Sequence, residues 1–126
     1  MDGKPVAELF TAGQAGPLAA VVVLGGAGDG ALLREVAQRL AHNGYAAVTI
    51  ATEQIEPESF EGMIGRLGAV SAVDRGRIGL IGIGPGAEKA LLIAAHHSVV
   101  RAVVAVAPGA GALIPVERIA GPILLV

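Results

Sequence analysis

The amino-acid sequence predicts one α/β domain, residues 1–126, with a doubly wound and mostly parallel sheet of five to six strands flanked by helices. Apolar segments rich in valine alternate along the chain with segments of helical periodicity. Hydrophobic residues make up 53% of the sequence, which is enough to bury a core. Strands that are apolar throughout are typical of parallel sheets covered on both faces, and right-handed crossovers make such sheets doubly wound.

The first third of the chain predicts two strands and a helix. Pro5 to Phe10 reads as an edge strand, and the continuous apolar run from Leu18 to Leu24 reads as a strand buried on both faces. A helix is predicted from its cap, Asp29, to His42, because apolar residues recur on one of its faces and Asn43-Gly44 ends it. Those apolar residues are Leu33, Val36, Ala37, Leu40 and Ala41.

The middle segment predicts a strand from Tyr45 to Ala51 and a weaker helix from Pro57 to Val70. Pro57 suits a first helical turn, and the acidic residues around it suit the positive end of a helix dipole. Glycines at positions 62, 65 and 68 oppose this helix, since each costs about 1 kcal/mol relative to alanine.

The last third predicts strands from Arg77 to Ile83, Val100 to Ala107 and Pro122 to Val126. A helix from Pro85 to His97 joins the first two of them, with Ala90, Leu91, Ile93 and Ala94 available for packing. Gly109 to Gly121 reads as a connection with at most a short helix.

Charge and composition exclude several kinds of site. Nine basic and eleven acidic residues give a net charge of -2, which offers no basic field to nucleic acid or to a membrane surface. The sequence has no cysteine and no cluster of metal-ligating residues, so neither a metal nor a cofactor is expected. No targeting signal and no bilayer-spanning apolar run is evident, so we expect a soluble, cytoplasmic protein.

Two glycine-rich turns lie between a predicted strand and a predicted helix, at positions 25–30 and 82–87. Both satisfy a relaxed dinucleotide-binding pattern, and Glu53 lies at about the right distance beyond the first turn to hold a ribose. A nucleotide-binding Rossmann-like domain is therefore one hypothesis. The competing interpretation is that tight turns in a chain with 19 glycines produce this spacing by chance.

The segment from Asp74 to Ala95, with Gly82-Ile-Gly-Pro-Gly86 at its centre, resembles the nucleophile-elbow region of the α/β-hydrolases. It is most similar to the acyl-CoA thioesterase and bile acid-CoA:amino acid N-acyltransferase group, with dienelactone hydrolases near by. Residues 99–108 and 114–126 resemble the next two segments of that group, and residues 24–28 resemble its first oxyanion loop. The resemblance implies the strand order Tyr45, Leu18, Arg77, Val100, Pro122, with the Tyr45 strand at an edge.

The resemblance also shows what the chain lacks. The family's elbow is G-x-S-x-G, and its oxyanion hole uses the N–H of the residue after the serine. Gly84 stands at the serine position and has no hydroxyl, and Pro85 follows it and has no N–H. In the family the acid and the histidine follow the last strand, and the sequence reaches Val126 before either position. We therefore predict no catalytic residue, a C-terminally truncated core, and a degenerate nucleophile position at Gly84.

No other residue type fills these roles. The three serines and three histidines are expected in caps or at the end of the sheet opposite the elbow: Ser59, Ser71, Ser98, His42, His96 and His97. Asp29, Glu53 and Glu88 are the acids expected at the elbow end, where two carboxylates could in principle do acid/base work. Nothing in their spacing requires that chemistry.

The sequence thus supports four functional hypotheses. The first is a non-catalytic α/β-hydrolase-like domain that binds an acyl or other small ligand through Gly26, Ala27, Gly28, Gly84 and Gly86, or binds a protein partner. The second is a fragment of a larger thioester or ester hydrolase, whose C-terminal edge strand would be covered by a second chain, a second copy or a missing C-terminal half. The third is the nucleotide-binding domain described above. The fourth is an active thioester or ester hydrolase that works by a route without a serine.

Overall fold

Six strands and two helices form the part of the chain that the computed structural model describes, namely residues 7–13, 16–51, 62, 73–106, 119 and 121–125. In chain order they are β1 (Ala7–Phe10), β2 (Leu18–Gly25), α1 (Gly30–His42), β3 (Ala46–Ala51), β4 (Val73–Ile83), α2 (Pro85–His96), β5 (Val100–Val106) and β6 (Ile123–Leu125). A 3-10 turn, Ala27–Asp29, leads into α1. The predicted helix from Pro57 to Val70 and the connection from Gly109 to Gly121 lie largely outside the described residues.

The six strands make one mixed sheet in the order β1-β3-β2-β4-β5-β6. Strands β2 to β6 pair in parallel, and β1 pairs antiparallel with β3, where Leu9 lies opposite Val48. The predicted α/β fold class is therefore confirmed, as is the order of the five parallel strands. One detail was wrong: the strand after Tyr45 is not outermost, because β1 covers its free edge.

Strand β4 is four residues longer at its start than the predicted Arg77 to Ile83. Val73 and Asp74 already pair with Leu18 and Ala19 before the register shifts between Ala19 and Ala20. Sequence periodicity misses this extension because the apolar Val73 is followed by Asp74, Arg75 and Gly76, which break the apolar run. The Asp74 carboxylate accepts hydrogen bonds from Arg77 Nε at 2.8 Å and from the Gly76 N–H at 2.9 Å.

The main core lies between α2 and one face of the sheet. Every residue predicted to pack from α2 is buried, and Ile93 has no exposed surface. They meet the side chains of Val22, Leu24, Ile78, Leu80 and Val103, which are all at most 1% exposed. Burying one such side chain stabilises the fold by about 1.5–3 kcal/mol, so this face fixes α2, and with it the turn where α2 begins.

Helix α1 covers the other face of the sheet, over β2 and β3. Its buried residues are Leu33, Ala37 and Ala41, and the predicted Val36 and Leu40 are half-buried. Leu33 lies against Gly25, where a Cβ would come within 2.6 Å of Leu33 Cδ2. The glycine at the end of β2 therefore lets α1 pack closely on the sheet.

Candidate functional site

The turn between β4 and α2 has the geometry of a nucleophile elbow. Gly84 adopts φ +58° and ψ -121°, in a region that residues with a side chain rarely occupy. Its N–H donates to the Val106 carbonyl at 2.9 Å, and its own carbonyl accepts from the Ala87 N–H at 2.9 Å. Gly84 thus has the positive φ that an elbow residue requires, and Pro85 occupies the first position of α2, as its fixed φ favours.

The two outer glycines of the elbow are required by close packing. A Cβ on Gly86 would overlap the Leu24 carbonyl and come within 2.9 Å of the Gly25 nitrogen. A Cβ on Gly82 would overlap the Gly86 carbonyl and come within 2.7 Å of the Ala87 Cα. The first turn of α2 therefore lies directly on the ends of β2 and β4. This close approach is possible because Gly82 and Gly86, four residues apart, have no side chains.

The elbow holds the shape of a catalytic turn without its reactive atoms. Gly84 supplies no nucleophilic oxygen, although a Cβ there would meet no atom within 4 Å. Pro85 supplies no N–H to an oxyanion, and removing one such donor typically costs about 2.7–4 kcal/mol of transition-state stabilisation. A side chain would fit at the nucleophile position, so the site lacks a reactive group and does not lack the space for one.

The loop after β2, which resembles an oxyanion loop, forms hydrogen bonds between its own residues. The Gly26 N–H donates to Asp29 Oδ2 at 3.1 Å, and the Asp29 N–H donates to the Gly26 carbonyl at 3.0 Å. The predicted cap is therefore only half right. Asp29 stands at the cap position of α1, but its carboxylate makes no hydrogen bond to that helix and reaches back to Gly26 instead.

The two glycine turns meet at Gly26 and Pro85. A Cβ on Gly26 would lie 3.4 Å from Pro85 Cγ and 3.3 Å from Asp29 Oδ2. The proline ring and the carboxylate thus flank the backbone that an incoming carbonyl group would have to approach. Sequence reasoning missed this arrangement, although the three-residue spacing from Gly26 to Asp29 is the signal that could have indicated a local carboxylate-to-backbone bond.

The five residues predicted to bind a ligand differ in access. Gly26 and Gly86 are buried, Gly84 is half-buried and Gly28 is exposed, while Ala27 lies in the 3-10 turn. Gly26 and Gly86 therefore have packing roles that explain them without a ligand. Ligand binding through this set remains a prediction.

His42, His96 and Ser98 do not converge on the elbow, whereas Glu88 lies at the elbow end of the sheet. His96 is exposed at the end of α2, where its Nδ1 lies 2.9 Å from the Leu92 carbonyl, and His42 is exposed at the end of α1. Ser98 lies before β5, at the opposite end of the sheet, and Glu88 is half-buried in the first turn of α2. Glu53, Ser59 and Ser71 lie outside the described residues. Among the residues that are described, no group of three could hold a metal ion.

The nucleotide hypothesis gains no support from this geometry. A pyrophosphate at the first glycine turn would need the loop N–H groups, and the Asp29 carboxylate already accepts the one on Gly26. That carboxylate would also repel the anion.

Comparison with solved structures identifies α/β-hydrolase folds. A structure from Klebsiella pneumoniae subsp. pneumoniae, named provisionally as a dienelactone hydrolase, matches 94% of this chain and 65% of its own, with 20% identity and a TM-score of 0.76. The structure named m3DLH matches 94% of this chain and 61% of its own, with 30% identity and a TM-score of 0.67. The α/β hydrolase GrgF from Penicillium sp. sh18 matches 79% of this chain and 40% of its own, at 23% identity and a TM-score of 0.64.

The resemblance to the α/β-hydrolase superfamily is therefore confirmed. The chain spans less than two thirds of the length of each of these structures. No protein-family model matches the sequence, and no curated protein matches it. In the described part of the chain, neither helix has the length and apolar character needed to cross a membrane.

Proposed function

We propose that this chain is a non-catalytic α/β-hydrolase-like domain, related to the acyl-CoA thioesterase and acyltransferase group, which binds an acyl or other small ligand or a protein partner without turning it over. One observation carries the proposal. The elbow is fully built, with φ +58° at its centre, yet Gly84 and Pro85 stand where the nucleophile and an oxyanion donor would be. A fold does not carry an activity without the groups that perform it.

The loop on the other side of the elbow supports the same proposal. In an acyl-transfer site the loop after β2 would offer an N–H to the developing oxyanion. Here the Gly26 N–H is held by Asp29 at 3.1 Å, and the Pro85 ring lies beside Gly26. A carboxylate at this position would destabilise a developing negative charge, because like charges at short range repel. Both halves of an oxyanion site are thus altered.

A part of a longer thioester or ester hydrolase is the second candidate, favoured by the coverage of 61–65% of the dienelactone hydrolase-like structures. In that case residues outside this sequence would supply an acid and a histidine. Gly84 and Pro85 remain an objection to this second candidate alone, because they occupy the nucleophile and oxyanion-donor positions of the elbow whatever residues lie outside this sequence.

The proposed partner surface is the free edge of β6. Leu124 is 57% exposed and Ile123 is 36% exposed, although both belong to a strand of the sheet. Exposed apolar edge strands are prone to pairing with another chain. A second copy of this protein, or another chain, would cover these residues. We place the protein in the cytoplasm as part of this proposal.

A serine-directed covalent probe tests the proposal. The purified protein is incubated with a fluorophosphonate, and its intact mass is measured beside that of an active α/β hydrolase treated in the same way. We expect the active enzyme to gain one adduct and this chain to gain none, because Gly84 offers no oxygen to attack phosphorus. A stoichiometric adduct on this chain would reveal an activated serine that the proposal denies.

A further inference from the structure

The turn that joins α1 to β3 contains the only asparagine of the sequence, Asn43, and a glycine follows it directly. Asn43 is the cap residue at the end of α1, and it is exposed. A glycine after an asparagine leaves the backbone nitrogen open to attack the side-chain amide, because glycine has no side chain to hinder the approach. This turn therefore carries the local chemistry of a site of covalent self-modification.

The backbone of the turn is closed by two hydrogen bonds. The Gly44 N–H donates to the Ala41 carbonyl at 3.1 Å, and the Tyr45 N–H donates to the Leu40 carbonyl at 3.1 Å. Gly44 has φ +98°, and this combination is the Schellman motif that ends many helices. The nitrogen that would attack Asn43 is thus engaged while the turn is closed.

The side chain of Asn43 is engaged as well. Its Nδ2 donates at 2.7 Å to the carbonyl of Arg39, one of the last carbonyls of α1, which are left without a partner inside a helix. Both reacting groups are therefore held by hydrogen bonds until the end of α1 opens. All of these contacts lie within residues 39–45, so they do not depend on what packs against the rest of the molecule.

From this arrangement we infer that Asn43 is a site of spontaneous deamidation, which proceeds when the end of α1 opens and then weakens that end irreversibly. The deprotonated Gly44 nitrogen forms a bond to Asn43 Cγ, and the amide nitrogen of Asn43 leaves as ammonia. Water then opens the resulting succinimide at either carbonyl, which gives aspartate or isoaspartate. The net reaction consumes water and releases ammonia, with no oxidation or reduction.

The closed turn sets the rate of this reaction. Helix ends are among the parts of a fold that open most readily, so the reaction proceeds in the folded protein. Opening nevertheless breaks the hydrogen bonds of the Asn43 amide and of the Gly44 N–H. These bonds should slow deamidation by about tenfold or more relative to the unfolded chain.

The products no longer fit the turn. Aspartate has no N–H for the Arg39 carbonyl, and it places a negative charge at the negative end of the α1 dipole. Isoaspartate also lengthens the backbone before Gly44, which disturbs the hydrogen bonds of Gly44 and Tyr45. The modification therefore loosens the connection between α1 and β3, and it does so independently of any activity at the elbow.

Peptide mapping by mass spectrometry tests the inference. The protein is kept at mildly alkaline pH, either folded or unfolded in urea, and sampled over time. We expect Asn43 to gain about 1 Da with an isoaspartate fraction in both samples, about tenfold or more slowly in the folded one. Gln38, an exposed amide of the same helix that precedes Arg39, is the internal control and should gain none. An unchanged Asn43 in the folded protein, or equal rates in the two samples, would overturn the inference.

Three variants test the effect of the product on the fold. Asn43→Asp imitates one product, Asn43→Ala removes the donor without adding a charge, and Gln38→Glu makes the same change from amide to carboxylate at an exposed position of α1. We expect Asn43→Asp to lower the Tm by about 2–4 °C, Asn43→Ala to lower it less, and Gln38→Glu to leave it nearly unchanged. A Tm of Asn43→Asp equal to that of the parent, or an equal loss in Gln38→Glu, would overturn the claim that deamidation weakens this turn.

Discussion

Gly86→Ala is expected to destabilise the domain by about 3 kcal/mol or more, although alanine normally stabilises a helix relative to glycine by about 1 kcal/mol. The reason is steric. The added Cβ would overlap the Leu24 carbonyl and press on the Gly25 nitrogen at 2.9 Å, and both are backbone atoms of a buried strand that cannot move aside. Urea denaturation of the parent and the variant, followed by circular dichroism, measures the difference.

Gly28→Ala is the matched control for this experiment. Gly28 lies in the glycine-rich turn after β2, is exposed, and has no atom within 4 Å of the place where a Cβ would be. Its substitution should change the free energy of unfolding by no more than about 0.5 kcal/mol. Equal effects of the two substitutions would mean that α2 does not approach β2 as closely as described.

Gly84→Val should destabilise the domain by about 1–3 kcal/mol, for a conformational reason rather than a steric one. A Cβ at Gly84 meets no atom within 4 Å, but the φ of +58° is poorly tolerated by a β-branched residue. The midpoint of thermal or urea unfolding reports the change.

Gly30→Val separates backbone strain from the general effect of adding a side chain. Gly30 begins α1 with φ -53°, and a Cβ there also meets no atom within 4 Å. Valine is a better helix former than glycine, so this variant should be neutral or slightly stabilising. If Gly84→Val were equally neutral, the elbow would not hold the positive φ on which the comparison with a nucleophile turn depends.

Much of the fold could be predicted because its strands are apolar on both faces and its helices are not. The valine-rich run of β2 and the one-sided apolar pattern of α1 each indicate one kind of element. The order of the parallel strands was predicted from the resemblance and not from periodicity. The residues of a buried strand do not indicate which other strands pair with it. The polar start of β4 at Asp74 was missed because strand prediction relies on apolar residues.

The properties of the candidate site that depend on residue type alone could be predicted from the sequence. Those that depend on tertiary contacts could not. That Gly84 has no hydroxyl and Pro85 no N–H follows from the residue types alone. That Asp29 holds the Gly26 N–H rather than capping α1 depends on the 3-10 turn, which places the carboxylate beside Gly26.

Steady-state hydrolysis of p-nitrophenyl acetate and of a short acyl-CoA thioester tests the central claim most directly. The parent protein is measured beside Asp29→Asn and Glu88→Gln, the two described acids at the elbow end of the sheet. We predict rates for all three that equal the uncatalysed rate, because the elbow supplies neither a nucleophile nor an oxyanion donor after it. Turnover by the parent that either substitution abolishes would contradict this account and would identify a catalytic route that uses a carboxylate in place of the missing serine.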